Sequence, residues 1–400
     1  MAGTLKFPDG FFWGAATSSH QVEGGQSNDW SEWEKLGKVS GGERSGRACD
    51  HWNRYTEDFD SAKELGHNAH RLSIEWSRVE PMPGEWNDAA LAHYRNVVRA
   101  LKERSIEPFV TLWHFTNPRW FMKLGGWESP QAPELFTRYA QRVVRALPDV
   151  KFWMTLNEPN VYALLSYLVG YWPPEVKQWR RALRVYRTMA EAHRLAYTAI
   201  KRANPKSSVG IANSAIDYVP ARPSSVLDRW MVRFCDRWYN RWFIERTLNE
   251  LDFIGVNHYF RQGIRVQSLK HPVVTEPRGE PLTDYGWGIC PEAMYKVLTS
   301  LGRYRMPLYI TENGLADAHD QWRREFIMNE LKELYRAISC GVDVRGYFYW
   351  SFLDNFEWRE GFTKRFGLVE VDFQTQQRTI RPSARWFALV CRSNILDGTM

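Results

Sequence analysis

Apolar residues in this chain come in short, nearly unbroken runs separated by longer amphipathic stretches. The runs lie at Phe11–Thr17, Ala69–Glu75, Glu107–His114, Phe152–Glu158, Ser208–Ser214, Phe253–Tyr259, Leu308–Glu312 and Tyr347–Leu353, eight in all. A run that is apolar almost throughout fits a strand buried on both faces, the habit of parallel sheets. Between most of them, segments such as Arg54–Leu65, Ala89–Arg104, Pro133–Ala146, Ala182–Arg202, Pro291–Leu301 and Gln321–Ser339 carry apolar residues at helical spacing. Eight strands alternating with helices predict an α/β fold, a single (β/α)8 TIM barrel spanning residues 1–400. A doubly wound sheet would usually show a Gly-rich phosphate turn after an early strand, and Gly-x-Gly-x-x-Gly is absent. Only the fifth-to-sixth connection reads as long and irregular, from Asp217 through the Trp-rich stretch near Trp230 and Trp242.

In such a barrel, side chains at the C-terminal ends of the strands converge on one pocket. Two short acidic motifs fall there. Thr155-Leu156-Asn157-Glu158-Pro159 ends the fourth run and Ile310-Thr311-Glu312-Asn313-Gly314 the seventh. His114 ends the third run, Tyr259 the sixth, and Trp350 lies within the eighth. Singly, each has a plainer reading: Asn-Glu-Pro is common in loops, and a lone histidine is usually a satisfied core residue. Together, two carboxylates facing one pocket suit cleavage of a glycosidic bond, where one protonates the leaving oxygen and the other acts on the opposite face. A gap of roughly 5 Å gives direct attack and retention; about 6.5–9.5 Å admits water and gives inversion. Sequence leaves that choice open. Arg71 and Tyr259 are expected beside Glu312, lowering its pKa and suiting it to attack, with Glu158 as the protonated partner.

Composition changes the picture modestly. The net charge is +7, but Lys and Arg are scattered, which argues against a nucleic-acid partner. Aromatic residues make up 15% of the chain and include 20 Trp, many beside polar groups, as suits sugar faces. Five widely spaced cysteines without a C-x-x-C pattern predict free thiols. With no signal pattern and no spanning stretch, the expectation is a cytoplasmic protein without a membrane partner.

The chain resembles glycoside hydrolase family 1, the β-glucosidase and β-galactosidase type of retaining enzyme. The match runs from Phe7-Pro8-Asp9-Gly10 to Arg381-Pro382-Ser383-Ala384. It includes Gln21-Val22-Glu23-Gly24, Arg71-Leu72-Ser73-Ile74-Glu75-Trp76-Ser77-Arg78, both acidic motifs and Trp350-Ser351-Phe352-Leu353-Asp354-Asn355-Phe356-Glu357-Trp358. The resemblance implies Glu158 as acid/base and Glu312 as nucleophile, with Gln21, His114, Asn157, Trp350, Glu357 and Trp358 around the sugar. Tyr259 would hold the nucleophile, Arg71 and Asn257 would support the pair, and neither metal nor organic cofactor is expected. It implies an exo-acting β-glucosidase with side activity on β-galactosides or β-fucosides, acting on small β-glycosides or short oligosaccharides. A transglycosylase using the same intermediate, or a non-catalytic sugar-binding barrel, are the alternatives. Glu357 predicts unphosphorylated sugars. Phe115 stands where the family commonly has Trp, removing an indole donor to the 3-hydroxyl, and His258 stands where Tyr is common. The compact stretch around Gly170-Tyr171-Trp172-Pro173-Pro174 predicts an open leaving-group side.

Overall fold

A computed structural model describes residues 4–267, 274–276 and 279–397. Eight parallel strands close into a barrel: β1 (Phe12–Ala16), β2 (Ala69–Ser73), β3 (Glu107–Trp113), β4 (Phe152–Asn157), β5 (Ser208–Ser214), β6 (Phe253–Asn257), β7 (Leu308–Asn313) and β8 (Val344–Trp350). Each pairs with its sequence neighbours, and β8 closes the ring on β1 through Gly346↔Phe12 to Trp350↔Ala16. The expected (β/α)8 barrel is therefore the observed one. The eighth strand begins earlier than its apolar run because Arg345, exposed and paired with Asp343, interrupts the hydrophobic pattern near the strand's start, and it ends at Trp350, three residues before the run does.

Helices α1 (His51–Glu64), α2 (Asp88–Glu103), α3 (Ala132–Ala146), α4 (Trp179–Ala203), α5 (Val226–Cys235), α6 (Trp242–Thr247), α7 (Glu292–Leu301), α8 (Arg323–Ser339) and α9 (Pro382–Ser393) make up most of the outer layer. Helix α3 shows why. Phe136, Tyr139, Ala140, Val143 and Val144 recur at helical spacing, so one stripe is buried. Each large apolar side chain there contributes about 2 kcal/mol. The Tyr139 hydroxyl is within hydrogen-bonding distance of the carbonyls of Leu112 (2.9 Å) and Ile74 (3.1 Å), tying the helix to the ends of two strands. The N-terminal end of the barrel is plugged by aromatics: Phe109 stacks on Phe152 at 4.2 Å and lies 4.7 Å from Phe348. The C-terminal end stays open for the site.

The connection after β5 is mostly helical, with a strand at Asp217–Pro220 followed by α5, a π-helical turn at Asp236–Arg241 and α6. It is also not the only long one. Asn257 to Leu308 holds a strand at Arg261–Arg265, which pairs in parallel with Asp217–Pro220, and then α7. Its short polar strands carry too little apolar signal to announce themselves. All five cysteines are free thiols, as expected.

The turn after β7 has no room for a side chain. A Cβ on Gly314 would lie 1.7 Å from the Trp350 carbonyl oxygen. Gly314→Ala is expected to cost about 3 kcal/mol, read as a lowered denaturant midpoint. An unchanged midpoint would show that this contact yields freely.

Candidate active site

The chain leaves β4 in a sharp turn. Glu158 takes a left-handed backbone (φ 44°), its N–H donates to the Ala212 carbonyl at 2.7 Å, and Pro159 starts the short helix Pro159–Tyr162. Proline suits that first position because its missing N–H would be unpaired anyway. The turn aims the Glu158 carboxyl across the barrel mouth. Its one side-chain partner among the described residues is the Asn257 amide, which donates to Oε1 at 2.9 Å. Asn257 is itself held by the Thr311 hydroxyl, which donates to its Oδ1 at 2.7 Å.

Glu312, on β7, has a different setting. Arg71 of β2 donates to Oε1, and the Tyr259 hydroxyl donates to Oε2 at 2.7 Å. Arg71 is 1% exposed. Its other bonds go to Thr111 Oγ1 (3.2 Å), the Thr311 carbonyl (3.2 Å) and Asn157 Oδ1 (2.6 Å). Glu75, four residues along, accepts from Ser77, Thr116, Asn28 and Ser19 instead.

Between the two glutamates lies a cavity of about 390 Å3. His114, Tyr259, Trp350, Glu357 and Trp358 line it, as expected. The rings of His114 and Trp350 lie nearly parallel at 5.9 Å, as do those of His114 and Trp358 at 6.1 Å. Asn157 Nδ2 donates to His114 Nε2 at 3.2 Å, so the ring proton sits on Nδ1, which has no partner among the described residues. Gln21, Asn157 and Asn257 are 0% exposed and stand behind the lining rather than in it. Gln21 donates to Glu357 Oε2 at 3.2 Å and to Asn355 at 3.1 Å. Phe115 packs its edge against Trp172 (4.9 Å) and Trp358 (5.4 Å). His258 is buried, and its Nδ1 donates to the Ala215 carbonyl at 2.8 Å.

Sequence reasoning missed the wall beside Glu158. Val161, Leu164, Leu165, Ile216, Tyr218, Tyr239 and Phe260 line that half of the cavity. Leu164 and Leu165 belong to a π-helical segment, Ala163–Val169, a local irregularity common at functional sites and without a hydrophobic period to read. Tyr239 lies in the Trp-rich stretch, whose aromatic density was its signal.

Burial raises the pKa of both carboxylates. Glu158 is pushed up to about 8, first by burial and then by the negative charge of Glu312. Glu312 is also raised, not lowered as expected: burial outweighs the Arg71 and Tyr259 contacts that oppose it. Glu312 faces the cation of Arg71, which opposes the rise, while Glu158 also faces the anion of Glu312, which adds to it. Glu357 is pushed up to about 8 by burial and by Glu312, against hydrogen bonds from Trp350 and Gln21. Burial and Arg71 hold His114 well below its usual range, so its ring is neutral.

The geometry has counterparts among known proteins. The model of the Glycosyl hydrolase family 1 matches residues 4–250 and 245–395. A 1,4-beta-D-glucan glucohydrolase of Thermotoga neapolitana is 32% identical over 97% of this chain and 99% of its own. Among solved structures, a beta-glycosidase from Pyrococcus horikoshii superposes with a TM-score of 0.95 at 40% identity, covering 99% of this chain and 97% of that one. A beta-glucosidase from Thermotoga maritima in complex with glucoimidazole gives 0.93 at 32% identity, covering 98% and 99%. With the family model matched along nearly its whole length, and the barrel shared, the chain belongs to glycosyl hydrolase family 1.

Proposed function

We propose that the protein is an exo-acting β-glucosidase that works by double displacement, with Glu312 as nucleophile and Glu158 as acid/base. The observation that carries this reading is the asymmetry of the pair. Arg71 and Tyr259 stabilise the ionised form of Glu312, whereas Glu158 has one neutral amide and a pKa of about 8. At neutral pH Glu158 still holds its proton, and the Arg71 and Tyr259 contacts favour the carboxylate form of Glu312 that attacks, the division retaining glycoside hydrolysis requires. When Glu312 becomes an ester its charge disappears. The Glu158 pKa then falls, and Glu158 takes the proton of the incoming water.

The sugar is placed between Trp350 and Trp358 on one side and the glutamates on the other. The unpartnered His114 Nδ1–H and the Glu357 carboxyl face it and supply hydrogen bonds to ring hydroxyls. Asn157 Nδ2 gives one hydrogen to His114 Nε2 and keeps a second for the 2-hydroxyl. Where Phe115 lines the cavity, no indole reaches the 3-hydroxyl, which supports side activity on β-galactosides and β-fucosides. A 6-phosphate is disfavoured by Glu357, and the nearby cations are occupied. Lys364 donates to the Asp284 carbonyl at 2.7 Å, and Arg365 to the Val371 carbonyl at 3.0 Å.

The nucleophile is tested with Glu312→Gly. Hydrolysis of an aryl β-glucoside is expected to fall by on the order of 10^4-fold or more, with azide restoring turnover and giving the α-glycosyl azide. Near-normal activity in this variant would sink the assignment.

The acid is tested by leaving group and by pH. The proton on Glu158 is present below its pKa and lost as pH rises through it, so kcat/KM for a poor leaving group should fall above about pH 8. Glu158→Ala is expected to remove that limb and lower kcat/KM for poor leaving groups by roughly 10^2- to 10^4-fold, while sparing dinitrophenyl glucosides. Equal loss on every substrate would count against the role.

Glu357 is tested by comparing plain and 6-phosphorylated aryl β-glucosides. A phosphate dianion beside three carboxyls should lower kcat/KM by about 100-fold or more. Preference for the phosphorylated substrate would reverse this part of the reading.

A further inference from the structure

Helix α5 stands apart from every other helix of comparable length. Of its ten residues only Asp228 is fully buried. Asp228 accepts from Arg222 Nε at 2.9 Å and from the Val266 N–H at 3.0 Å, which pins one side of the helix down. The other side is apolar and open: Val226 is 69% exposed, Leu227 62%, Trp230 58% and Phe234 52%. At about 100° per residue these four fall within one arc of roughly 100°. Trp230 and Phe234 stack at 5.9 Å with nearly parallel rings. Arg229 and Arg233 flank the Val226 edge of this stripe, and Arg237 follows in the next turn, all three exposed. None of the three has an ion-pair partner among the described residues, whereas Asp228 is paired with Arg222 and Asp236 with Arg241.

We propose that α5 is a peripheral docking surface for an anionic lipid bilayer. An amphipathic helix with Trp, Phe and Leu on one side and unpaired arginines along its flank has the composition that lies in a membrane interface. Trp230 suits the headgroup level, where an aromatic ring can be half wet. The arginines supply charge complementarity to acidic headgroups, on a chain of net charge +7. A second copy of this chain is the weaker occupant. Two-fold pairing of α5 with itself would bring Arg229 and Arg233 of each copy together without a carboxylate between them. The expectation of no membrane partner rested on the lack of a spanning stretch, and no helix among the described residues is long and apolar enough to cross. A surface helix needs none.

The position gives the docking a direction. Helix α5 packs on the strands Asp217–Pro220 and Arg261–Arg265, whose Tyr218 and Gln262 line the cavity. A protein lying on α5 therefore keeps its leaving-group side close to the lipid surface.

The test uses the whole protein and reads binding, not catalysis, so it stands or falls apart from the proposed function. Protein is sedimented with vesicles of phosphatidylcholine containing about a third phosphatidylglycerol, and with pure phosphatidylcholine. The expected result is binding to the anionic vesicles that weakens with salt and on the neutral ones. Trp230→Ser with Phe234→Ser should weaken it at least about tenfold. Arg233→Glu with Arg237→Glu should remove the preference for anionic lipid. Both variants should keep the native Tm and aryl β-glucosidase activity. The proposal is overturned if the native protein does not bind, or if either variant binds like it. It is also overturned if light scattering shows a dimer that the serine variant dissociates, or if polyglutamate competes as well as the anionic vesicles do.

Discussion

A single buried guanidinium organises the open end of this barrel. Arg71 rises from the middle of β2 and bonds to groups on β3, β4 and β7 at once. Burying an unpaired charge costs several kcal/mol, so each of those acceptors must stay where it is. The Glu312 carboxylate is the anion that answers the charge, and Asn157 and Thr111 complete the fork. Asn257, held by Thr311, then bonds both Asn157 and Glu158. The spacing and orientation of the two glutamates follow from one cation's need for partners.

The same closed setting explains why three carboxyls can face one cavity without flying apart. Burial favours their neutral forms, and the one positive charge, on Arg71, opposes that rise at Glu312. Glu357, its pKa pushed up to about 8, can give a hydrogen bond to a sugar hydroxyl as well as accept one. Gln21 and Trp350 hold it from behind.

Much of this was legible in the sequence because parallel barrel strands are apolar on both faces and end abruptly at polar residues. That rule singled out Glu158, Glu312 and His114, and the structure sets all three around one cavity. The direction of the Glu312 shift was misjudged because a sequence names partners and not the depth at which they sit. Gln21 and Asn157 also bond to residues that line the cavity, Glu357 and His114, a support role that needs coordinates to see. The wall of Val161, Leu164, Leu165 and Ile216 was hidden because a π-helical segment and a loop contribute it, and neither repeats at a strand or α-helix period. The face of α5 has the ordinary pattern of an amphipathic helix. Only the fold shows that its apolar side points outward.

Phe115, Glu158 and Trp358 all border the cavity, and all three hold left-handed backbone (φ 70°, 44° and 50°) without being glycine. Each such residue stores on the order of 1–3 kcal/mol that the rest of the barrel must overcome. The rim of the pocket thus holds three of the non-glycine residues with left-handed backbone, each with a side chain aimed at the cavity. Selection for heat resistance alone would favour relieving that tension there, and each relief would let a pocket side chain drift. In this protein, durability and chemistry compete for the same three backbone positions.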